Sequence, residues 1–223
     1  MNTAIKTALD ALSDQLLNSS GAVFYTGMTA FTTCKPLYVL GLNPGGSASR
    51  QRSNTVRRDI RDYLLREEPW SAYIDERWED AEPGSWGMQP RICHMLKKLH
   101  LDPRETPASN VIFVRTQSET LLKANKSVLL QECWPVHEAV IKVLQPRAIL
   151  CLGRTAGSWV RKKVGADRKI DQFVESNRRG WASSAHKGGE GPIVLTVTHP
   201  GRVDWRNVEA DPTPMVARCL NLY

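Results

Sequence analysis

Two short polar turns carry the side chains best suited to chemistry, and each follows an apolar run. Residues 41–46 read Gly-Leu-Asn-Pro-Gly-Gly, and residues 199–201 read His-Pro-Gly. The amide oxygen of Asn43 can hold a water molecule, but an amide is too weakly basic to take the proton of that water. His199 can donate a hydrogen bond to an atom on which negative charge develops. Together the two side chains fit a hydrolysis in which the leaving group departs as an anion.

The residues around Asn43 favour close approach of a ligand to the main chain. Pro44 rigidifies the turn, and Gly45 with Gly46 would let the backbone come near a phosphate or a sugar. Two plainer explanations stay open at this point. Asn43 could be present because asparagine tolerates unusual backbone angles in a turn, and His199 could be an ordinary histidine with satisfied hydrogen bonds.

Composition limits the class of protein. The chain has 223 residues, a net charge of +7 and five scattered cysteines without a C-x-x-C pair. The positive charge favours DNA as a partner. The cysteine pattern predicts reduced thiols in a cytoplasmic protein and argues against a zinc or iron–sulfur site, and we expect neither metal nor cofactor. No apolar run has the length of a membrane span, and residues 1–17 have an amphipathic helical pattern rather than that of a signal peptide, so we expect no membrane association.

Four short apolar runs, separated by helical patterns, organise the chain. They cover residues 35–42, 110–114, 148–153 and 192–201. Strands that alternate with helices predict parallel βαβ units, hence a three-layer α/β/α sandwich with a central four-stranded, mostly parallel sheet. We expect a single domain over residues 1–223 with a helical insertion at about 50–83. In such a fold the polar turns meet at the carboxyl edge of the sheet, where ligands bind.

The helical patterns between these runs are less sharply bounded. We expect helices over residues 3–18 and 91–101, one from Ser127 to just before Pro146, one after Gly153, and one opened by Asp211 and Pro212. Pro135 is expected to start or kink the third of these helices. The segment between the fourth helix and the last apolar run is a basic polar stretch, for which no strand is predicted.

The two turns, in this order and with a third strand between them, resemble the uracil-DNA glycosylase superfamily. Members carry a strand-end motif of Gly, any residue, Asn or Asp, and Pro, which residues 41–44 match. They also carry a His-Pro motif on the last strand, usually followed by Ser, where this chain has Gly201. The stretch LQPRAILCLGRTAGSW resembles their third strand and following helix. The similarity spans about residues 35–205, and its Asn-Pro-Gly version is most similar to the mismatch-specific and single-strand-selective branches.

The resemblance implies a monofunctional DNA glycosylase. Asn43 would position the attacking water, and His199 would stabilise the departing base. The motif residues that the resemblance assigns to substrate binding are Gly41, Leu42, Pro44 and Gly45. The iron–sulfur branch of the superfamily has two cluster cysteines near the N-terminus, whereas no cysteine here precedes Cys34, so no cluster is implied.

Two tryptophans match aromatic positions of the superfamily. Trp86 would stack on the extruded base, an interaction of roughly 1–3 kcal/mol, or else it is a core or loop residue. Trp205 and Arg202 follow the His-Pro turn, where relatives insert a wedge into the duplex. We therefore assign Pro200, Gly201, Arg202 and Trp205 to DNA binding, with ordinary surface packing of Arg202 and Trp205 as the alternative.

Arginines after the first turn form a second candidate DNA contact. Arg50, Arg57 and Arg61 are spaced by seven and four residues, so on one helix they would share a face beside the pocket. Phosphate contact and a merely solvated face remain equally open.

The second strand departs from the superfamily pattern. Relatives end this strand with an asparagine that reads the base edge. Aligning the run Val-Ile-Phe-Val with that strand puts Arg115 in the reading position, with Gln117 as the alternative. Arg115 can only donate hydrogen bonds, so it suits the N3 acceptor of a cytosine-type base better than the N3–H of uracil.

The resulting hypothesis is a DNA glycosylase that extrudes a base, hydrolyses its N-glycosidic bond and leaves an abasic site, as in base-excision DNA repair. One alternative keeps this chemistry but assigns it to hypermodified cytosine in phage DNA, an antiviral defence. Another is a non-catalytic nucleic-acid-binding module of the same fold.

Overall fold

The computed structural model describes residues 2–222. Helices and strands alternate along most of this range. The helices are α1 (Thr3–Asp10), α2 (Asp14–Leu17), α3 (Val56–Leu65), α4 (Gln89–Lys98), α5 (Lys126–Leu144), α6 (Arg154–Val164) and α7 (Thr213–Leu220). The strands are β1 (Leu37–Gly41), β2 (Ala108–Asn110), β3 (Ala148–Leu152), β4 (Arg168–Val174), β5 (Ala182–Lys187) and β6 (Ile193–Val197).

All six strands form one sheet in the order β2-β1-β3-β6-β5-β4. The first four strands of that order are parallel, while β5 and β4 form an antiparallel hairpin at one edge. Every residue of β1 and β3 is buried, which explains why both strands have continuous apolar sequences rather than an alternating pattern.

Helices cover both faces of the sheet and create two separate cores. Tyr38 and Leu40 of β1 face a core built mainly with α1, α3, α5 and α6. Leu37 and Val39 of the same strand face a second core built with α4 and α7. The fold is therefore the three-layer α/β/α sandwich that the sequence predicts.

The sheet has six strands rather than four, because the basic stretch after α6 folds into β4 and β5. Most residues of β4 are exposed, so this strand lacks the apolar run by which the other strands were predicted. Its pairing with β5, and that of β5 with β6, supplies the backbone hydrogen bonds instead.

Several predicted boundaries are also wrong. The expected helix over residues 3–18 is two helices, because Ser13 caps α2 by accepting a hydrogen bond from the Leu16 amide at 3.2 Å. Of the expected helical insertion at 50–83, only α3 is helical. α5 runs through Pro135 as one helix. No helix within residues 2–222 has the length and apolarity that crossing a membrane requires.

A buried histidine links α5 to the sheet and makes stability depend on pH. Nδ1 of His137 lies 2.9 Å from the Tyr38 hydroxyl, and burial lowers the pKa of His137 to about 4. The unfolded chain therefore binds the extra proton at a higher pH than the folded chain does. The contribution of His137 to stability is complete above about pH 6.5 and is lost as the pH falls toward about 4.

We expect this single residue to account for about 3 kcal/mol of acid destabilisation. His137→Gln removes the titration but keeps a hydrogen-bonding group near Tyr38. Urea unfolding between about pH 4 and 7 should give a shallower loss of unfolding free energy for this variant than for the unchanged protein. His100→Asn is the matched control, because His100 is exposed and asparagine tolerates its positive φ of 56°. Equal pH slopes for the unchanged protein and His137→Gln would contradict the prediction.

Candidate functional site

The carboxyl edge of the parallel strands brings the two predicted turns together. Asn43 follows β1, and His199 follows β6. The strand after β1 in the chain, β2, lies on one side of it, and the next strand, β3, lies on its other side. This edge therefore contains a topological switch point, the usual ligand site of an open α/β sheet. Only β3 lies between β1 and β6, so the ends of these two strands are roughly 10 Å apart.

The Asn43 side chain is held so that its oxygen is the available group. Its Nδ2 donates to the Pro44 carbonyl and to Oγ1 of Thr116, both at 2.9 Å, and lies 3.4 Å from the Val114 carbonyl. The Thr116 amide also donates to the Pro44 carbonyl at 3.1 Å. No residue of the range 2–222 donates to Oδ1 of Asn43. The amide is therefore oriented as a fixed acceptor, as water positioning requires.

Thr116 is a residue that sequence reasoning missed, although it lies between the two residues considered there as base readers. Its hydroxyl accepts from Asn43 and donates to the Ser118 carbonyl at 3.0 Å. Through these two bonds it fixes the Asn43 side chain. No local sequence signal points to this role, because the contact joins positions 73 residues apart.

The hydrogen bonds of His199 define its tautomer. Its Nδ1 accepts a hydrogen bond from the Gly201 amide at 2.9 Å, so a neutral ring carries its proton on Nε2. Burial lowers the pKa of His199, and the positive charge of Arg202 lowers it further. His199 is therefore a neutral donor through Nε2 at neutral pH.

A glycine leaves room between the two residues. Gly153 directly follows β3 with φ of +106°, and a Cβ added there would lie 3.7 Å from Cδ2 of His199. The rim position between Asn43 and His199 thus carries no side chain. This provides a gap at the switch point beside the histidine ring.

The second strand ends at Asn110, which corrects the alignment that put Arg115 in the reading position. Register pairs Asn110 with Gly41, and a Cβ at Gly41 would lie 2.1 Å from Oδ1 of Asn110. Gly41 is therefore needed for close approach of this amide. Asn110 is buried, at 7% exposure, and lies at the edge that carries Asn43.

Tyr25 lies beside Asn110 and was also missed. Burial raises the pKa of Tyr25 to about 12, although the charge of Arg115 and a hydrogen bond with the Asn110 side chain oppose the rise. The ring stacks on Tyr73 with centroids 5.8 Å apart. A neutral phenol and an amide therefore form a polar wall next to the first turn.

Arg115 lies beyond the end of β2 and donates a hydrogen bond to the first turn. Its Nη1 donates to the Gly45 carbonyl at 2.5 Å, and its own amide donates to the Ser20 carbonyl at 2.8 Å. The strand ends earlier because the chain after Ile112 pairs with the N-terminal segment: the Ala22 amide donates to the Phe113 carbonyl at 3.0 Å. Gln117 is exposed, two residues beyond Arg115.

Other motif residues serve the shape of the first turn. Pro44 is buried and its carbonyl receives the bonds from Asn43 and Thr116, while Gly45 is exposed. Leu42 packs against the first core, and its carbonyl accepts from the Ile112 amide at 2.9 Å. Leu42 thus acts through packing.

Trp86 lies just before α4 with its side chain 51% exposed. Its amide donates to Oε1 of Gln89, a fully buried residue that also binds the carbonyls of Ala72 and Glu76 at 2.7 Å each. Two residues further on, Arg91 donates to the Pro200 carbonyl. The start of α4, with Trp86, is therefore fastened to the loop that carries His199.

Trp205 is not a wedge residue. It is fully buried in the second core, and its Nε1 donates to the Thr198 carbonyl at 3.1 Å. The prediction that Trp205 enters DNA is therefore wrong, because the ring packs in the core and its hydrogen bond to Thr198 holds the start of the His199 loop. In the same loop Arg202 and Gly201 are exposed and Pro200 is buried.

The three arginines after the first turn do not share a helix face. Thr55 caps α3 by accepting from the Arg58 amide at 3.2 Å, so Arg50 lies in the turns before the helix. Arg57 is paired with Asp14 at 2.6 Å, and Arg61 with Asp62 at 3.1 Å. The predicted common face is wrong, and of the three only Arg50 has no ion-pair partner within the described range.

Two surface concavities open at the opposite edge of the sheet. One is lined by Lys35, Asp102 and Glu105 among others, and the second includes Arg147 and Asp171. Neither contains Asn43 or His199, and their mixed charges suit no single ligand class. Within residues 2–222 no three His, Cys, Asp or Glu side chains are arranged to hold a metal ion.

Comparison with known proteins does not assign the chain to a family. No family model matches the chain, and no curated protein matches it.

Proposed function

We propose that the protein is a monofunctional DNA glycosylase of the uracil-DNA glycosylase type. The observation that carries this proposal is the pair formed by Asn43 and His199 at the switch point. One side chain is fixed as an acceptor and the other as a neutral donor. The net charge of +7 suits a polyanionic substrate, and five free cysteines suit a reducing cytoplasm.

The proposed reaction breaks the bond between the sugar C1′ and a base nitrogen. The bonding electrons leave with the base, which becomes an anion, while C1′ becomes electron-poor. Nε2–H of His199 stabilises the anion through a base oxygen. Oδ1 of Asn43 holds water against C1′, and that water loses its proton to solvent as the new C–O bond forms. No cofactor is needed for this sequence of steps.

Asn110 changes which base we expect the site at this edge to accept. An amide can donate to O4 of uracil and accept from its N3–H, so the objection to uracil that Arg115 raised no longer applies. The same amide, turned over, donates to N3 of cytosine and accepts from its N4–H. We propose uracil as the first substrate to test, with modified cytosines as the second.

The decisive experiment offers oligonucleotides with a panel of bases and detects abasic sites by alkaline cleavage. The panel contains uracil, cytosine, 5-hydroxymethylcytosine and glucosylated 5-hydroxymethylcytosine, in single- and double-stranded form. Abasic sites at one or more of these bases support the glycosylase. Binding to every oligonucleotide without strand cleavage after alkali would overturn it in favour of a non-catalytic module.

The pH profile of excision tests the state of His199. Protonating Nδ1 would place a donor against the Gly201 amide, so excision should fall at low pH as His199 titrates. The charge of Arg202 helps to lower the pKa of His199, so Arg202→Gln should raise that pKa and move the acidic fall in rate to higher pH.

The measurement is the single-turnover rate between about pH 5 and 8. The enzyme is saturating, so that a weaker affinity for DNA does not change the measured rate. Arg206→Gln is the matched control, since Arg206 lies in the same loop but is paired with Asp204 at 2.7 Å. Superimposable profiles for Arg202→Gln and Arg206→Gln would show that Arg202 does not set the state of His199.

A further inference from the structure

The tip of the β4–β5 hairpin, residues 175–181, reaches the same edge of the sheet as the candidate site. β5 runs antiparallel to β6, with Ser184 opposite Thr196 and Ala185 opposite Leu195. The start of β5 therefore lies beside the end of β6. The Thr198 amide confirms this proximity by donating to Oγ of Ser183 at 3.1 Å. Trp181 stands two residues before Ser183 and His199 directly follows Thr198, so the hairpin tip and the His199 loop leave the sheet at the same edge.

The tip has a defined shape. Glu175 is 3% exposed, and its Oε2 accepts from Nδ2 of Asn177 and from Nη2 of Arg179, both at 3.0 Å. The Ser176 amide donates to the Glu209 carbonyl at 3.0 Å, which joins the tip to the segment that follows the His199 loop. Gly180 closes the turn with φ of +57°. The buried carboxylate thus acts as an internal anchor for the turn.

The outer surface of this tip is aromatic and basic. Trp181 is 42% exposed, and the Arg179 guanidinium lies 5.2 Å from its ring centroid. The adjacent Arg178 is exposed and has no ion-pair partner in the described part of the chain. A large aromatic ring flanked by arginines is the combination that stacks on nucleic-acid bases while contacting phosphates.

We propose that this tip binds the DNA strand next to the extruded nucleotide, with Trp181 stacked on a neighbouring base and Arg178 on a phosphate. The proposal rests on the glycosylase function, since it takes the strand to be the one whose nucleotide enters the site. Trp205 is buried, so the His199 loop offers no aromatic side chain for this task. Besides Trp86 before α4, the hairpin tip supplies an exposed ring, that of Trp181, at this edge of the sheet.

The test measures binding without excision. A fluorescently labelled single-stranded oligonucleotide carries a tetrahydrofuran abasic analogue, which a glycosylase cannot cleave, and anisotropy gives the dissociation constant. Trp181→Ala should weaken binding by about 10-fold, and Trp181→Phe by less. Ile170→Ala is the control, because Ile170 is 41% exposed on β4 and lies toward the opposite edge. It should leave the affinity unchanged.

Salt dependence isolates the phosphate contact. Arg178→Gln should reduce the slope of log affinity against log salt by about 0.7, the value for one contact with a single strand. Arg168→Gln, at the other end of β4, should keep the original slope. Unchanged affinity in Trp181→Ala, or an equal loss in Ile170→Ala, would overturn the proposal. Since no excision is measured, failure of the base panel and failure of this test remain separate results.

Discussion

Replacing Asn43 or His199 by alanine should lower the single-turnover rate of base excision by at least about 100-fold. In the first variant no fixed oxygen holds the water against C1′. In the second variant no donor meets the charge that develops on the leaving base. Both interactions matter most in the transition state, so the rate should fall far more than the affinity for DNA, which phosphate contacts dominate.

Two controls separate this chemistry from misfolding. Asn125→Ala removes an exposed amide at the start of α5 that makes no side-chain cap, and His100→Asn removes an exposed imidazole. Both should excise at the rate of the unchanged protein, and all four variants should unfold cooperatively on heating. Near-normal excision by folded Asn43→Ala and His199→Ala would contradict the proposed mechanism.

The edge of the sheet could be predicted from sequence because local signals coincide there. β1 and β3 are buried on both faces, so their apolar runs are continuous, and each run is followed directly by a polar or glycine-rich turn. Parallel strands then require Asn43 and His199 to share one edge. The α/β/α architecture and the position of the two turns follow from these features alone.

The end of β2 could not be found in this way. Residues 111–113 are buried and apolar, which favours a strand, yet the strand pairing with β1 ends at Asn110 and the chain from Phe113 onward pairs with the N-terminal segment instead. The ladder partners of β1 are instead the small residues Ala108 and Ser109, followed by Asn110. The placement of these residues depends on contacts between distant parts of the chain, and a local sequence pattern cannot predict such contacts.

The same limit applies to Trp205, which is fully buried, and to Trp181, which is 42% exposed. Trp205 follows Asp204 and Trp181 follows an Arg-Arg-Gly sequence, and nothing in either local sequence distinguishes a buried ring from an exposed one. Trp205 is buried because α7 and the second core close over it, while the edge strand β4 leaves the hairpin tip uncovered. The exposed aromatic contact therefore had to be found from the sheet order.

Asn110 should prove to be the residue that reads the base. Asn110→Ala should reduce single-turnover excision by about 100-fold, because two hydrogen bonds to the base edge are lost and buried polar atoms remain unpaired. Arg115→Gln should cost about 10-fold at most, since Arg115 acts through the Gly45 carbonyl rather than on the base.

Testing both variants on the panel of bases distinguishes a residue that reads the base from one that supports the turn. Loss of Asn110 should also flatten the preference among uracil and the cytosine derivatives, because discrimination among them depends on paired donors and acceptors. Loss of Arg115 should slow all substrates alike by loosening the turn that holds Asn43. If instead Arg115→Gln changes the preferred base and Asn110→Ala changes only the overall rate, the reader lies in the loop after β2, and the base pocket is built on that loop rather than on the end of the strand.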